Sequence, residues 1–124
     1  MLGKVILWFS ALVFISYGLA CLYSPALPAG YAGLAMTNGD ALAEMRAMYG
    51  GLQFGFGIFC LLGALRKDFF RPVLASVMLL LGGLALARLY STATGIDPVT
   101  SYTHGALVFE CTTAALAALA LRKR

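Results

Sequence analysis

Four long apolar runs constrain the fold of this chain more than any other feature. Each run carries at most one acidic or basic residue, and the runs are residues 5–22, 47–65, 72–92 and 101–121. The first two hold no charge, the third contains Arg88 and the fourth contains Glu110, with His104 as a further titratable group. A helix needs about 20 residues to cross a hydrocarbon core of roughly 30 Å. The runs therefore predict four membrane-spanning helices.

The composition excludes an ordinary soluble domain. Of 124 residues, 61% are hydrophobic and only 11% are charged, far from the usual balance of soluble proteins. Proline or charge clusters follow each run and end it. We predict an all-α four-transmembrane-helix bundle that forms a single domain over residues 1–124. The expected helices cover about 4–23, 41–65, 72–93 and 101–121.

Lysine and arginine fall on one side if the four helices alternate in direction. That side carries Lys4, the cluster Arg66, Lys67 and Arg71, and the last three residues, Arg122, Lys123 and Arg124. The connections on the other side, residues 23–43 and 93–100, hold no lysine or arginine. Because cytoplasmic flanks carry the excess of basic residues, both termini should be cytoplasmic in a multi-pass protein of the bacterial inner membrane. The net charge of +4 then reflects topology and contact with membrane lipids, without nucleic acid as a partner.

The N-terminus also has features of a cleavable lipoprotein signal. Lys4 precedes an apolar run that reaches Cys21, but the run is long for a signal and Gly18 stands where a leucine is expected. An uncleaved first helix is therefore favoured. The three cysteines, Cys21, Cys60 and Cys111, form no paired motif and are expected to be small buried residues. His104 and Cys111 share a helix face, but two ligands do not make a metal site, so we expect no metal or cofactor.

A short repeat links the two halves of the chain. The segment LACLYS at residues 19–24 recurs as LARLYS at residues 86–91, and a glutamate follows each at similar spacing, Glu44 and Glu110. Two parallel helical-hairpin repeats related by an axis along the membrane normal would give this pattern. Chance similarity between leucine- and alanine-rich segments is the alternative.

Four charged residues are expected in the outer half of the membrane: Glu44, Arg46, Arg88 and Glu110. An unpaired charge deep in a span costs at least about 2.5 kcal/mol, so Glu110 should have a partner, either Arg88 or Arg46. Two readings remain open, because a buried ion pair can fix helix register and can equally mark a functional site.

Helical spacing sorts the residues of the second span into two faces. One predicted face contains Arg46, Tyr49, Gln53 and Gly57, and the other contains Glu44, Met48, Gly51 and Gly55. Tyr49 and Gln53 could extend the polar cluster as neutral donors. Glu44 and Arg46 are two residues apart, about 200° around the helix, so they should not pair with each other. The glycines in the second and third spans, Gly50, Gly51, Gly55, Gly57, Gly82 and Gly83, are expected to allow close helix approach.

The run AEMRAMYGGLQFGFGIFCL, with GGLALARLYS and a later FE, resembles a family of small bacterial four-helix inner-membrane proteins known as a domain of unknown function. The matched positions are Glu44, Arg46, Tyr49, Gly50, Gly51, Arg88 and Glu110. The resemblance implies the fold but no activity. The architecture is more distantly similar to the quinone-linked DoxX type and the sterol-binding emopamil type, which is an analogy of fold alone.

Three functions from different classes fit these residues. The favoured one is a non-enzymatic protein whose cluster of Glu44, Arg46, Tyr49, Gln53, Arg88 and Glu110 binds a lipophilic small molecule or docks a membrane partner. The second is a small membrane enzyme or proton-coupled carrier that uses Glu110. The third is an accessory or scaffold subunit, and the small-residue faces would suit a homo-oligomer or a larger membrane complex. No catalytic residue is assigned.

Overall fold

A computed structural model describes residues 1–123, which fold into helices joined by short connections. The five helices are α1 (Leu2–Tyr23), α2 (Ala26–Ala32), α3 (Gly39–Leu65), α4 (Lys67–Thr94) and α5 (Ser101–Arg122). Four of them, α1, α3, α4 and α5, are long and apolar enough to cross a membrane. The predicted all-α fold with four candidate spans is therefore confirmed.

The largest difference in helix bounds concerns α4. The sequence predicted a helix over residues 72–93, but α4 begins at Lys67 and contains Pro72 near its start. Pro72 is the sixth residue of α4, past the first turn, so the helix lacks the hydrogen bond from this position to the Asp68 carbonyl and continues through the proline. The charged segment before Pro72 is thus helical and is not a loop.

A short helix, α2, lies where the sequence predicted only a proline-containing connection. Pro25 precedes it, Pro28 and Ala29 are buried, and Gly33 ends it with a left-handed φ of 72°. Leu27 and Tyr31 remain 60% and 71% exposed. Residues 24–38 hold no charged side chain, so this connection stays apolar up to the next span.

The EMRAMYGG stretch contains a π-helical turn, which simple α periodicity did not predict. Asn38 caps the start of α3 by accepting a hydrogen bond of 2.8 Å from the Ala41 N–H. The π turn covers Arg46–Gly51, and the Leu52 N–H bonds to the Ala47 carbonyl. One extra residue in a turn rotates the remainder of the helix by about 100° relative to a continuous α-helix. The predicted face that joined Arg46 to Gly57 is therefore wrong, and Arg46 is exposed whereas Gly57 is buried.

The contacts of the chain divide it into two compact units. The first unit joins Met1–Leu7 to the chain from Gly63 onward, and the second comprises Trp8–Leu62. The single domain and the internal repeat expected from the sequence stay predictions.

In the second unit, α1 and α3 approach closely at glycines. A Cβ added at Gly18 would lie 2.5 Å from the Phe54 nitrogen, and one at Gly57 would lie 2.7 Å from the Ile15 nitrogen. Phe14 and Phe56 pack edge to face beside them, with ring centroids 5.0 Å apart. Such backbone contact needs residues without side chains, which explains the glycines.

In the first unit, α4 supplies most of the buried core. Its fully buried residues follow helical spacing along one face: Val73, Leu74, Val77 and Leu81. The start of α1 packs on this helix, since a Cβ added at Gly3 would lie 2.6 Å from the Phe70 ring. At the same end, Arg71 Nη2 donates to the Leu121 carbonyl at 3.0 Å and so satisfies a terminal carbonyl of α5.

Two expectations about small residues need correction. Gly50 and Gly57 lie against α1, but within residues 1–123 no atom lies within 4 Å of a Cβ added at Gly55, Gly82 or Gly83. Cys21 and Cys60 are buried as predicted, whereas Cys111 is exposed. It follows Glu110 directly, so its side chain is turned about 100° around α5 from that of the buried glutamate.

Candidate functional site

The candidate site is an ion pair between α4 and α5. Arg88 Nε donates to both carboxylate oxygens of Glu110, at 2.9 Å each. The Glu110 side chain is 5% exposed and that of Arg88 is 29% exposed. Of the two arginines considered from the sequence, Arg88 is therefore the partner of Glu110. Among the described residues this is the one ion pair.

The positions of the two residues along their helices explain how they meet. Arg88 lies six residues before the end of α4, and Glu110 lies nine residues after the start of α5. At 1.5 Å per residue these are depths of roughly 9 and 14 Å from the same end of the helix pair. The long arginine side chain spans the difference. Both charges are thus far enough from the helix ends that each needs the other.

Glu110 lies on the buried face of α5. The buried residues of this helix are Glu110, Thr113 and Ala117, at spacings of three and four. Thr113 and Ala117 are small, so α5 can lie close to α4. A carboxylate on such a face is held between two helices, which fixes its position.

Tyr102 is a member of the site that the sequence reasoning missed. The Arg88 guanidinium carbon lies 5.9 Å from the centroid of its ring, within the range of a cation–π contact. The sequence indicated only an aromatic residue at a helix end, as in an aromatic belt. One sequence signal could have identified Tyr102: it lies in the first turn of α5, and Arg88 lies near the end of α4, so both residues are at the same end of this helix pair.

The geometry leaves the terminal nitrogens of Arg88 unused by Glu110. Both hydrogen bonds to Glu110 come from Nε, although a guanidinium usually presents two parallel donors to a carboxylate. The Nη1 and Nη2 groups make no hydrogen bond to Glu110, and the neighbouring side chain of Tyr102 interacts with the guanidinium through its ring and as a hydrogen-bond partner. A pair that is neutral overall, with donors on its accessible side, can bind the oxygen of a polar head group.

The other predicted site residues lie on α3, in the second unit. Glu44 and Arg46 are exposed, while Tyr49 and Gln53 are half-buried. Arg46 and Tyr49 belong to the π turn, and Gln53 follows it. The wider cluster that would join these four residues to Arg88 and Glu110 stays a prediction.

Metal-ligating side chains do not cluster in the described part of the chain. Within residues 1–123, no three histidine, cysteine, aspartate or glutamate side chains come together as a metal site. His104 and Cys111 are both exposed on α5. The Arg88–Glu110 pair can interact with a ligand through charge and through hydrogen bonds.

Four apolar helices of spanning length, with a buried ion pair between two of them, define a multi-pass helical membrane protein. The chain belongs to the family described as Domain of unknown function (DUF4345), which it matches over residues 2–121. This match confirms the resemblance to a family of unknown function. Comparison with curated proteins and with solved structures gives no match.

Proposed function

We propose that this membrane protein is non-enzymatic and holds the polar head of a lipophilic small molecule at the Arg88–Glu110 pair. The observation that carries the proposal is the geometry of the pair. Glu110 is bound through Arg88 Nε alone, and the Arg88 side chain keeps 29% of its surface accessible. A purely structural pair would be expected to use more of the guanidinium and to bury both partners.

The expected ligand carries a hydrogen-bond acceptor on an apolar body. Because Arg88 and Glu110 cancel in charge, the site favours a neutral acceptor such as a carbonyl, ester or hydroxyl oxygen over a free anion. The Nη groups would donate to this oxygen, and the Tyr102 ring would flank it. Apolar side chains on the same helices, such as Leu84 and Leu89 with 41% and 44% exposure, would contact the ligand's body.

The proposed location is the bacterial inner membrane, with both termini in the cytoplasm. The distribution of lysine and arginine supports this orientation, since the connections over residues 23–43 and 93–100 contain neither. Fluorescent and alkaline phosphatase reporters fused after Arg124 test it. The fluorescent fusion is expected to fluoresce, because its reporter would lie in the cytoplasm. An active phosphatase fusion would show that the C-terminus lies outside the cytoplasm and would contradict the proposed orientation.

The binding proposal is tested by native mass spectrometry of the protein released from mild detergent. The wild-type chain should carry a bound lipophilic molecule. The substitution Arg88→Lys keeps the positive charge but removes the planar fork of donors, so the bound mass should be lost or reduced about tenfold. A single lost hydrogen bond to a charged group, at roughly 1.5–3 kcal/mol, accounts for such a change.

The matched control is Arg66→Lys, which makes the same substitution at an exposed arginine just before α4, at the end of the helix away from Arg88. It should retain the bound molecule at the wild-type level. Equal retention in both variants would refute the proposal. A bound mass of polypeptide size, lost in Arg88→Lys, would instead identify a docked membrane protein and also count against a small ligand.

A further inference from the structure

The first unit carries a strongly basic end that the proposed function does not use. We call it the basic end, and it consists of Lys4, Arg66, Lys67, Arg71, Arg122 and Lys123. All six side chains are exposed, and Asp68 is the one acidic residue in these segments. Six positive charges and one negative charge give a formal charge of +5. This exceeds what a topology signal alone requires, because a few basic residues suffice to set orientation.

Three parts of the chain meet at this end through specific contacts. Gly3, beside Lys4, packs on the Phe70 ring of α4. Arg71 Nη2 donates to the Leu121 carbonyl, directly before Arg122. These contacts hold the start of α1, the start of α4 and the end of α5 together. Their basic side chains therefore form one surface.

Exposed apolar side chains border this surface. Val5 follows Lys4 and is 59% exposed, and Leu65 precedes Arg66 and is 63% exposed. Leu119, one helical turn before Arg122, is 49% exposed. A row of positive charges next to an apolar surface is complementary to a molecule with an anionic head and hydrocarbon chains. A nucleic acid or an acidic peptide would match the charges but not the apolar border.

We infer that the basic end binds the head groups of anionic phospholipids, with their acyl chains against the neighbouring apolar side chains. The attraction is electrostatic and acts over about 8 Å at physiological ionic strength. Each basic residue near an anionic membrane surface raises the affinity of the protein for that surface by up to about fivefold. The lipid would be selected by charge and would not need a specific head-group shape.

The chain provides its own reporter for the test. Trp8 is the single tryptophan, is 49% exposed and lies one turn after Lys4, on the same face of α1. Brominated acyl chains quench tryptophan when the lipid lies against it. The protein is reconstituted in phosphatidylcholine vesicles that contain either brominated phosphatidylglycerol or brominated phosphatidylcholine at equal mole fraction.

Brominated phosphatidylglycerol should quench Trp8 several times more strongly than brominated phosphatidylcholine. Lys4→Gln should lower this preference by up to about fivefold, and Lys67→Gln, on another helix, should lower it in the same direction. Raising the salt to about 1 M, where screening acts within roughly 3 Å, should remove most of it. Circular dichroism confirms that each variant keeps its helices.

Arg46→Gln is the matched control, because it removes one exposed positive charge outside the basic end. It should leave the preference unchanged. Equal quenching by the two brominated lipids in the wild-type protein would overturn the inference. A loss in Arg46→Gln as large as that in Lys4→Gln would also overturn it, since net charge and not the basic end would then set the preference.

Discussion

Arg88 Nε shares its hydrogen between the two carboxylate oxygens of Glu110, at 2.9 Å from each. This contact joins α4 to α5 at a depth where neither charge is stable alone. It also leaves the outer nitrogens of the guanidinium beside Tyr102. The pair therefore has a structural role toward the helices and an accessible side toward a ligand, and the two roles can be separated by experiment.

The structural role predicts strong coupling between the two residues. Arg88→Met should lower the free energy of unfolding in detergent by about 3 kcal/mol, because it leaves a buried carboxylate without its partner. The double variant Arg88→Met with Glu110→Leu should lose only about 1 kcal/mol or less, since no buried charge remains. A double-mutant cycle from reversible unfolding measures the coupling. Additive losses would show that the two side chains do not stabilise each other.

The cation–π contact predicts a difference between two substitutions of Tyr102. Tyr102→Leu removes the aromatic face and should cost about 1 kcal/mol of stability, whereas Tyr102→Phe keeps the ring and should cost less. Thermal unfolding in the same detergent checks both variants. If Tyr102→Phe costs as much as Tyr102→Leu, the hydroxyl group and not the ring faces the arginine.

The close approach of α1 and α3 predicts opposite effects of the same change at two glycines. Gly18→Ala places a methyl group 2.5 Å from the Phe54 nitrogen and should cost roughly 1–3 kcal/mol through overpacking. Gly55→Ala meets no described atom within 4 Å and should stabilise the helix by up to about 1 kcal/mol. Unfolding free energies of the two variants measure this difference. Equal effects at both positions would contradict the packing described for the second unit.

The π turn predicts that α3 tolerates the loss of a residue at one place only. Deleting Ala47, which is exposed within Arg46–Gly51, returns this turn to α geometry and keeps both flanking segments on their faces. The expected loss of stability is roughly 1 kcal/mol or less. Deleting the exposed Ile58 rotates the rest of α3 by about 100° and should prevent a stable fold. Thermal unfolding and expression level of the two deletion variants are compared. If both deletions are tolerated equally well, α3 has no extra residue at the π turn.

Much of the fold was predictable because membrane spans have a simple physical signature. An apolar run of sufficient length leaves its backbone few alternatives to a helix, so all four candidate spans were found. The partner of Glu110 was narrowed to two arginines for a similar reason, since a buried carboxylate needs a nearby positive charge.

Other features depend on contacts that sequence periodicity does not encode. The π turn holds one more residue than an α-helical turn, and nothing in the composition of EMRAMYGG indicates it. The residues after the turn therefore lie on other faces of α3 than those predicted from α periodicity. Gly18 and Gly55 have the same sequence signature, yet a Cβ at the first would meet Phe54 and one at the second would meet no described atom within 4 Å. The place of Tyr102 beside Arg88 depends on how α4 and α5 pack, and a helix-end tyrosine is ordinarily an interfacial anchor.

The most direct measurement of the proposed function uses the double variant Arg88→Met with Glu110→Leu, in which the fold is expected to survive without the charges. Native mass spectrometry compares its bound lipophilic molecule with that of the wild-type protein under the same extraction. If the pair holds the polar head of a ligand, the double variant should keep its stability and lose the bound mass. Retention of the bound molecule at the wild-type level would contradict that account and leave the pair with a structural role alone.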